Sequence, residues 1–424
     1  MRLDTLSFGL RGHLAPLALL SVLALAACGG PSMPDAVAYT GARVITGDGA
    51  VIENATMIVQ NGVFVAVGPS SAVDAADAGA QVDLAGKTVM PTINNAHFHL
   101  PSERAARTAE LQQSAYYGAG AASSFGLDDG PVGLQMRAES IPNAARSQSA
   151  GRGITSPEPG RSEVPHWVTT EEEARAAVQE LASQDVDIVK IWVDDRGGRY
   201  ERLSPELYGA VIDEAHANGL RVTAHVFRLE DAKGLLEAGV DVFAHGIRDM
   251  DVDDEVVEMW KARPEVVLIP NLPGPGVPAG DLSWMSGTVP AERIAQMEAN
   301  QSENPAAQEA FGIQARNLVR LHAEGIPIAF GTDGGNSWTV HQELEDMVRA
   351  GLSPADVIVA ATRTAAETMQ LDDTGTITVG KSADFIVLDA NPLDDITNTR
   401  RIADVYLYGA RVDREAISAG FLGG

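Results

Sequence analysis

The amino-acid sequence predicts an α/β protein with a (β/α)8 TIM barrel and a small β-sandwich domain built from both chain ends. From residue 87 to residue 371, apolar segments of strand length alternate with amphipathic helical segments, a pattern typical of a parallel sheet buried on both faces. Residues 37–86 and 372–424 instead alternate apolar and polar residues between turn signals, and neither segment has enough strands for a stable sheet alone. The 424 residues are long enough for one large barrel and one small domain.

Eight strands can be assigned to the barrel. Six are the segments 87–99, 186–193, 221–227, 240–247, 266–272 and 326–333, and weaker candidates lie around 118–127 and within 137–154. One intervening helix is predicted at 169–184, with Thr169 or Thr170 as N-cap. Another is predicted at 204–219, with Ser204 as N-cap. Because barrels of this type carry their sites at the C-terminal ends of the strands, polar residues at those positions are the candidates for function.

The composition excludes one class of partner and indicates a soluble enzyme with a sizeable core. The formal net charge is -27, and the chain has no cluster of lysine and arginine residues that could bind a phosphate backbone. We therefore expect no nucleic acid and a small-molecule substrate. The acidity itself does not identify that substrate.

The N-terminal residues resemble an export signal of the lipoprotein type. Residues 1–27 contain basic residues followed by an uncharged apolar stretch that is too short to span a bilayer, and they end in Leu-Ala-Ala before Cys28. This predicts cleavage and lipidation at Cys28, a tether over residues 28–36, and a mature protein that is secreted across the inner membrane. The protein would be periplasmic or cell-surface lipid-anchored, with the lipid as its only membrane contact. The alternative is an ordinary signal peptide cut near the same place.

The first candidate for chemistry is the pair His97 and His99. On a strand, side chains alternate between the two faces, so both imidazoles would lie on one face at the strand's C-terminal end and could bind one metal ion. Cys28 is the only cysteine, which excludes disulfides and thiolate metal sites. Any metal must therefore be held by histidine, aspartate, glutamate or lysine.

Four further residues are predicted to lie at the same rim of the barrel. Strand alternation directs Lys190, His225 and His245 inward, because their strand neighbours form apolar outward rows. Asp333 ends the last predicted strand. A lysine inside a barrel is costly to desolvate, and burial would depress its pKa, so something must pair with it or neutralise it.

Three other residues are candidates for substrate contacts. His166 and His341 lie in segments predicted to border the barrel mouth, where a substrate contact and a surface position are both open. Arg196, in the loop after the fourth strand, could bind a substrate carboxylate in a bidentate manner. It could equally pair with Asp194, Asp195 or Glu201 on a solvated loop.

The full pattern of histidines, lysine and aspartate resembles the binuclear metal-dependent amidohydrolase superfamily. The set is His97, His99, Lys190, His225, His245 and Asp333, on predicted strands one, four, five, six and eight. Within the superfamily the chain looks closest to the branch of imidazolonepropionase-like and Xaa-Pro dipeptidase-like enzymes, including ochratoxin-hydrolysing ones. The segments at 37–86 and 372–424 are similar to that family's split β-sandwich.

The resemblance implies a ligand set and a cofactor. His97, His99 and Asp333 would bind one ion and His225 and His245 the other. A carbamate formed from carbon dioxide on Lys190 would bridge the two ions. Imidazole and carboxylate ligands suit zinc. The chain departs from the usual family motif at residues 92–95, which leaves open a mononuclear site in which Lys190 is unmodified.

The function implied by the resemblance is hydrolysis of an amide bond, of a dipeptide or an N-acyl amino acid. Asp333 would take the proton of the attacking water and deliver it to the leaving nitrogen. One alternative is hydrolysis of a cyclic amide or lactone, and another is a non-catalytic lipoprotein that binds metal or solute. The sequence leaves open whether the protein forms a homo-oligomer.

Overall fold

The computed structural model describes residues 33–423. The strands are β1 (Met33–Ile45), β2 (Val51–Gln60), β3 (Val63–Pro69), β4 (Ala78–Asp83), β5 (Thr88–Pro91), β6 (Ile93–Phe98), β7 (Ala119–Ser124), β8 (Arg146–Ser149), β9 (Ile154–Thr155), β10 (His166–Trp167), β11 (Val189–Val193), β12 (Val222–Val226), β13 (Val242–Ala244), β14 (Val267–Ile269), β15 (Phe385–Leu388), β16 (Ile402–Leu407) and β17 (Ala410–Arg411). The predicted signal peptide, residues 1–27, and the predicted lipidation site Cys28 lie outside the described residues.

Twelve α-helices are present among the described residues. They are α1 (Arg104–Tyr116), α2 (Val132–Met136), α3 (Glu171–Ser183), α4 (Pro205–Ala217), α5 (Leu229–Ala238), α6 (Asp254–Lys261), α7 (Ala291–Ala299), α8 (Pro305–Ala323), α9 (Thr339–Ala350), α10 (Pro354–Val359), α11 (Ala365–Thr368) and α12 (Arg414–Leu422). A π-helical turn, Ala360–Thr364, joins α10 to α11, and short 3-10 helices cover Ser283–Met285 and Ile396–Arg400. Within residues 33–423, no helix is both long enough and apolar enough to cross a membrane.

Both predicted N-caps are confirmed. The Thr170 hydroxyl accepts the Glu173 amide, and the Glu173 side chain returns to the Thr170 amide, so α3 begins with a complete capping box. The Ser204 hydroxyl accepts the Leu207 amide at the start of α4. These side chains satisfy amides that have no partner within the helix.

Strands from both ends of the chain form one mixed sheet of eight strands. Its order is β17-β16-β15-β5-β1-β2-β3, with β4 paired to β1 in parallel. The pairing is continuous through one sheet rather than divided between the two sheets of the predicted sandwich. Aromatic side chains fill its core, where the Phe385 ring stacks on Tyr406 at 4.5 Å and meets Tyr39 edge-on at 5.1 Å.

The structure corrects three predicted boundaries. β1 begins at Met33, inside the predicted tether of residues 28–36.

The predicted strand 87–99 is two strands: β5 pairs with β15 and belongs to the mixed sheet, whereas β6 belongs to the barrel. The chain changes partners after Pro91, where a missing amide hydrogen interrupts the ladder: the Thr92 amide donates to Asp384, and the Ile93 amide donates to Gly118. Helix α12 lies within the predicted sandwich segment and contacts α1.

The remaining strands are parallel and lie in two sheets with helices around them. One sheet has the order β6-β7-β8 and the other β10-β9-β11-β12-β13-β14. All five residues of β11 and of β12 are buried, as expected for strands covered on both faces. This confirms the prediction of parallel strands alternating with helices.

The barrel does not close as one continuous ladder among the described residues. The third predicted strand is split into β8, which pairs with β7, and β9, which pairs with β11. The eighth, 326–333, contains Pro327 and makes only an isolated bridge from Ile328 to Leu268. Backbone hydrogen bonds nevertheless connect this segment to both neighbours: the Ala329 amide donates to Leu268 at 2.9 Å, and the Ala96 amide donates to Phe330 at 2.9 Å.

Candidate metal centre

The ends of four parallel elements bring histidine and aspartate side chains together. His97 lies in β6, His225 in β12, His245 directly after β13, and Asp333 after the eighth segment. These histidines therefore lie at or just after the C-terminal ends of strands β6, β12 and β13, where barrels of this type carry their sites. His97, His225 and His245 are buried, and His99 is less so.

The Asp333 carboxylate is the point on which three imidazoles converge. Its Oδ1 lies 2.9 Å from His99 Nε2 and 3.2 Å from His97 Nε2, and its Oδ2 lies 3.4 Å from His245 Nε2. One ligand atom each of His97, His99 and Asp333 lie within 4.8 Å of one another, as three ligands of one ion would. His225 is next to this group, because its ring centroid lies 4.5 Å from that of His245.

The pKa values show that the imidazoles are in the form that binds a metal. Burial, assisted by the charge on Lys190, lowers the pKa of His97 to about 4. Burial also lowers the pKa of His225 to about 3 and that of His245 well below its ordinary value. At neutral pH all three rings are neutral, and a neutral imidazole offers a lone pair to a cation. Burial alone would raise the pKa of Asp333, but its contacts with His97, His245 and His99 hold that pKa far below its ordinary range.

Lys190 is fully buried beside this group. Its Nζ lies 5.3 Å from the Phe125 ring centroid and 5.5 Å from that of Trp192, and it has no hydrogen-bond partner among residues 33–423. Burial lowers the pKa of Lys190 to about 7. A substantial fraction of the amine is therefore neutral at neutral pH, which is the form that can react as a nucleophile.

Three polar residues orient these side chains. The His97 Nδ1–H donates to Asn271 Oδ1 at 2.8 Å, which leaves the Nε2 lone pair directed at Asp333. Asn95 connects the first and eighth elements: its amide donates to Thr332 Oγ1 at 3.0 Å, and its Oδ1 accepts the Thr332 backbone amide at 3.1 Å. Asp194 Oδ2 lies 2.9 Å from His225 Nε2.

The sequence pointed to Asp194 only as a partner of Arg196, a pairing that the structure shows, and did not single out Asn271. Asp194 could have been found by extending the strand alternation beyond β11, because residues an even number apart, such as Lys190 and Asp194, point to the same face of a strand. Asn271 had no such signal, because it reaches His97 from the segment after β14.

The backbone is strained at the positions that form the site. His245, Asn271 and Asp333 are not glycines, yet their φ angles are 98°, 42° and 51°. Positive φ is rarely adopted by side-chain-bearing residues and is concentrated at functional sites, where the surrounding structure enforces it. Each of the three follows the end of a barrel element, so the strain occurs where the chain turns at the rim.

The structure places one of the three predicted substrate contacts at the site. Arg196 Nη1 lies 2.9 Å from Asp194 and 3.3 Å from His225 Nε2, directly beside the histidine group. Of the other two, His341 is buried, so a surface position for it was wrong, whereas a substrate contact of His166 stays a prediction. His166 is partly buried, and its Nε2 lies 3.8 Å from Glu180 on helix α3.

His341 is fully buried on helix α9. Its Nδ1 lies 3.1 Å from Thr399 Oγ1, and its ring is adjacent to those of Tyr117 and Trp284. It could not be located from sequence because helix α9 places it towards the C-terminal segment rather than the site.

Comparison with known proteins decides the family. Residues 88–412 match the model of the amidohydrolase family. The chain belongs to the amidohydrolase family. The predicted resemblance is thereby confirmed, and this amidohydrolase is a hydrolytic enzyme that acts on C–N bonds. The alternative of a non-catalytic binding lipoprotein has no support from the family.

Two characterised enzymes align with most of the chain. Imidazolonepropionase of Deinococcus radiodurans is 27% identical over an alignment 391 positions long that covers 86% of this chain and 94% of the relative. Ochratoxinase of Aspergillus niger is 24% identical over an alignment 430 positions long that covers 85% of this chain and 82% of the relative.

Solved structures agree on the fold. A candidate prolidase from Bifidobacterium longum superposes with a TM-score of 0.74 at 29% identity and covers 92% of this chain and 99% of its own. A Xaa-Pro dipeptidase with methionine bound in its active site superposes with a TM-score of 0.71 at 21% identity, covering 89% of this chain and 99% of its own.

The donor set of this amidohydrolase fits a divalent metal ion. Members of the family are generally metal-dependent. The converging atoms are imidazole nitrogens and carboxylate oxygens, the ligand types of zinc and similar ions. His97 Nε2 and Lys190 Nζ are buried without a hydrogen-bond partner in the described part of the chain, so a bound group would satisfy atoms that are otherwise left unpaired.

Proposed function

We propose that this amidohydrolase cleaves the amide bond of a dipeptide or an N-acyl amino acid with two divalent metal ions, zinc being the favoured ion. The observation that carries the proposal is the convergence of three imidazoles on Asp333 beside a buried lysine without a partner. The prolidase and dipeptidase descriptions of the structural relatives support an amide bond next to an amino acid.

The proposed ligand assignment divides the donors between two ions. His97, His99 and Asp333 hold one, and His225 and His245 hold the other. Lys190 would serve both ions as a carbamate: the neutral Nζ attacks carbon dioxide, an N–C bond forms as one C=O π bond becomes a carboxylate, and the nitrogen loses a proton to water. The depressed pKa of Lys190 supports this step, because only the neutral amine has a free lone pair.

The residues of the chain perform the proton transfers. Metal ions held by these residues would supply Lewis acidity to the scissile carbonyl and to the attacking water. Asp333 accepts the proton of the attacking water and later donates it to the leaving nitrogen, and its position among His97, His99 and His245 supports this role. Asn271 and Asn95 hold His97 and the Asp333 segment in position throughout.

Two variants of this function remain in competition with it. A cyclic amide or a lactone presents the same kind of carbonyl, so the same groups could hydrolyse it. A mononuclear site with an unmodified Lys190 is the second variant, and it is favoured by the direct contact of His225 with Asp194, which occupies its Nε2.

One assay separates these possibilities. Purified protein containing measured amounts of zinc is incubated with a panel of dipeptides, N-acyl amino acids, cyclic amides and lactones, and metal content is determined by mass spectrometry. We expect two ions per chain and turnover of the linear amides. Turnover confined to cyclic substrates would refute the substrate class, and full activity with one ion per chain would refute the binuclear site.

We also propose that the enzyme is a lipoprotein anchored through Cys28 after export across the inner membrane. The sequence pattern before Cys28 supports this. Expression in a bacterial host with labelled palmitate should label the wild type and not Cys28→Ala. Equal labelling of both, or a mature N-terminus elsewhere than Cys28, would contradict it.

A further inference from the structure

Arg248 is an arginine without a partner beside the candidate metal centre. It lies three residues after His245 and is partly buried, with its Nε shielded from solvent. Among residues 33–423, no carboxylate or other acceptor lies within hydrogen-bonding distance of its guanidinium, although the chain has an excess of acidic residues. A guanidinium keeps its charge at every physiological pH, so an unpaired and partly buried one favours an anion supplied from outside.

Arg196 lies at the same rim as Arg248 but, unlike it, is paired with carboxylates. Its Nη1 lies 2.9 Å from Asp194 Oδ2, and its Nε lies 2.9 Å from Glu158 Oε1. The charge of Arg196 is therefore already balanced by two carboxylates. Arg196 retains one buried donor without a hydrogen-bond partner, its Nη2, but unlike Arg248 it is not left without a counter-charge.

The backbone places Arg248 at the same rim as the proposed metal ligands. It follows His245 by three residues, and its amide donates to Phe227, two residues after His225. Burial lowers the pKa of Arg248 itself, whereas the charges of Asp333 and Asp194 raise it. An anion bound to this side chain would thus lie next to the atoms that act on the scissile bond.

The surroundings of Arg248 indicate what the anion is attached to. The Arg248 backbone amide donates to the Phe227 carbonyl at 2.9 Å, which fixes this loop against the end of β12. Phe227, which accepts that amide, and Met250, two residues after Arg248, carry large apolar side chains that are 38% and 51% exposed. Exposed apolar side chains next to an unpaired cation suit a ligand that has both a carboxylate and an apolar group.

We propose that Arg248 binds the carboxylate of the substrate and that this carboxylate belongs to an amino acid with an apolar side chain. This assignment rests on the proposed amide hydrolysis of a dipeptide or N-acyl amino acid. The guanidinium donates two parallel N–H bonds to the two carboxylate oxygens, a geometry that lysine cannot reproduce. Arg248 acts in binding and orientation, and takes no part in proton transfer.

The test compares metal-replete wild type with Arg248→Met, Arg248→Lys and the control Arg199→Met, which alters an exposed arginine on the loop after β11. Binding of L-phenylalanine, L-phenylalaninamide and L-serine is measured by calorimetry. KM and kcat are measured for an N-acyl-L-phenylalanine and its carboxamide. Metal content is determined for every variant.

In Arg248→Met we expect binding of phenylalanine and KM for the acid to weaken by about 10- to 100-fold, because a charged hydrogen-bonded pair is lost. Affinity for phenylalaninamide, kcat for the carboxamide and metal content should stay at wild-type values. Arg248→Lys should recover part of the loss, and Arg199→Met should behave as wild type. Serine should bind wild type more weakly than phenylalanine does.

Other outcomes overturn the proposal. Equal binding of phenylalanine to wild type and Arg248→Met, or none to wild type, refutes the carboxylate role. Loss of metal or equal loss of activity on acid and carboxamide assigns Arg248 to the centre itself and refutes it as well. If the wild type binds L-serine as tightly as L-phenylalanine, the proposed preference for an apolar amino-acid side chain is refuted. If wild type binds phenylalanine through Arg248 but hydrolyses no linear amide, the proposed function fails while the anion site stands.

Discussion

At the scale of single residues, burial determines the chemistry of the candidate site. Lys190 and the three buried histidines all have depressed pKa values, and in each case burial is the largest cause. In water the lysine amine would be almost fully protonated at neutral pH and would have no lone pair to offer. The low polarity of the barrel interior therefore prepares amine and imidazole lone pairs at neutral pH.

The role of Lys190 can be tested by removing its amine. Lys190→Ala should lose metal and reduce kcat by more than about 100-fold, since loss of a direct ligand costs more than loss of a group that only supports one. Its free energy of unfolding should fall as well, because Lys190 is one of the largest fully buried side chains and its truncation leaves a cavity. Metal analysis, steady-state kinetics and urea denaturation check these expectations. Lys261→Ala, an exposed lysine on α6, is the matched control, and near-normal metal content in Lys190→Ala would contradict the binuclear site.

Asn271 provides a second test at the residue scale. Asn271→Ala removes the acceptor for the His97 Nδ1–H, and we expect metal affinity to fall by about 10- to 100-fold. Asn271→Asp keeps an acceptor oxygen at that place and should recover most of the affinity. Titration with a chelator measures both variants. Equal affinities for Asn271→Ala and the wild type would show that Asn271 does not support the ligand.

At the scale of elements, the strands determine where the candidate ligands lie, and the turns that follow them determine which way the side chains point. β6, β12 and β13 bring their histidines to one rim. The strained turns at His245, Asn271 and Asp333 then direct those side chains towards one another. The start positions of helices α3 and α4 depend on local sequence instead, because each N-cap side chain bonds to an amide only three residues away.

The capping box of α3 can be tested separately from the site. Thr170→Ala removes the acceptor for the Glu173 amide and should reduce the free energy of unfolding by about 1 kcal/mol. Thr170→Ser retains the hydroxyl and should cost less. Chemical denaturation measures both, and metal content should be unchanged, since α3 contributes no proposed ligand. No loss of stability in Thr170→Ala would mean that water replaces the cap.

Helix α9 contains a carboxyl group that should make stability depend on pH. Burial raises the pKa of Asp346 from 3.8 to about 7, although Arg349 opposes this. The native state therefore binds this proton more tightly than the unfolded state, and the stabilisation is lost as pH rises through about 7. Asp346→Asn should be more stable than wild type at pH 8, by at most about 4 kcal/mol, and similar to it at pH 4. Thermal denaturation across this pH range checks it, and a benefit that is larger at pH 4 would contradict it.

At the scale of the whole molecule, the mixed sheet and the barrel are joined through buried charge. Arg146 in β8 lies 2.7 Å from Asp384, which is 2% exposed and precedes β15, and 2.8 Å from Asp373. The Asp384 carboxylate also accepts the Tyr408 amide. One buried carboxylate thus connects a barrel strand with the C-terminal part of the mixed sheet.

Breaking this connection should be costly. Arg146→Met leaves Asp384 buried without its counter-charge, and we expect a loss of about 3 to 5 kcal/mol in the free energy of unfolding. Arg104→Met, which breaks the exposed pair with Glu139, should cost at most about 1 kcal/mol. Urea denaturation compares the two. A loss in Arg146→Met no larger than in the control would show that water enters and solvates Asp384.

The sequence could predict those features that depend on alternation and local turns. Strand alternation directed Lys190, His225 and His245 inward, and helix signals located the caps at Thr170 and Ser204 correctly. It could not locate His341, because alternation does not tell which neighbour a helix face will meet. It also took 87–99 as one strand, since the change of partner at Pro91 depends on contacts with Asp384 and Gly118.

The sequence by itself determined the family, the parallel α/β architecture and the identities of the candidate ligands, because these follow from residue types and their spacing along the chain. Only the tertiary structure decided that the small domain is one continuous mixed sheet, that Asn271 and Asp194 support the histidines, and that Arg196 is paired whereas Arg248 is not. These features depend on contacts between residues far apart in the chain. Such contacts are set by the packing of the whole fold, which local sequence patterns do not record.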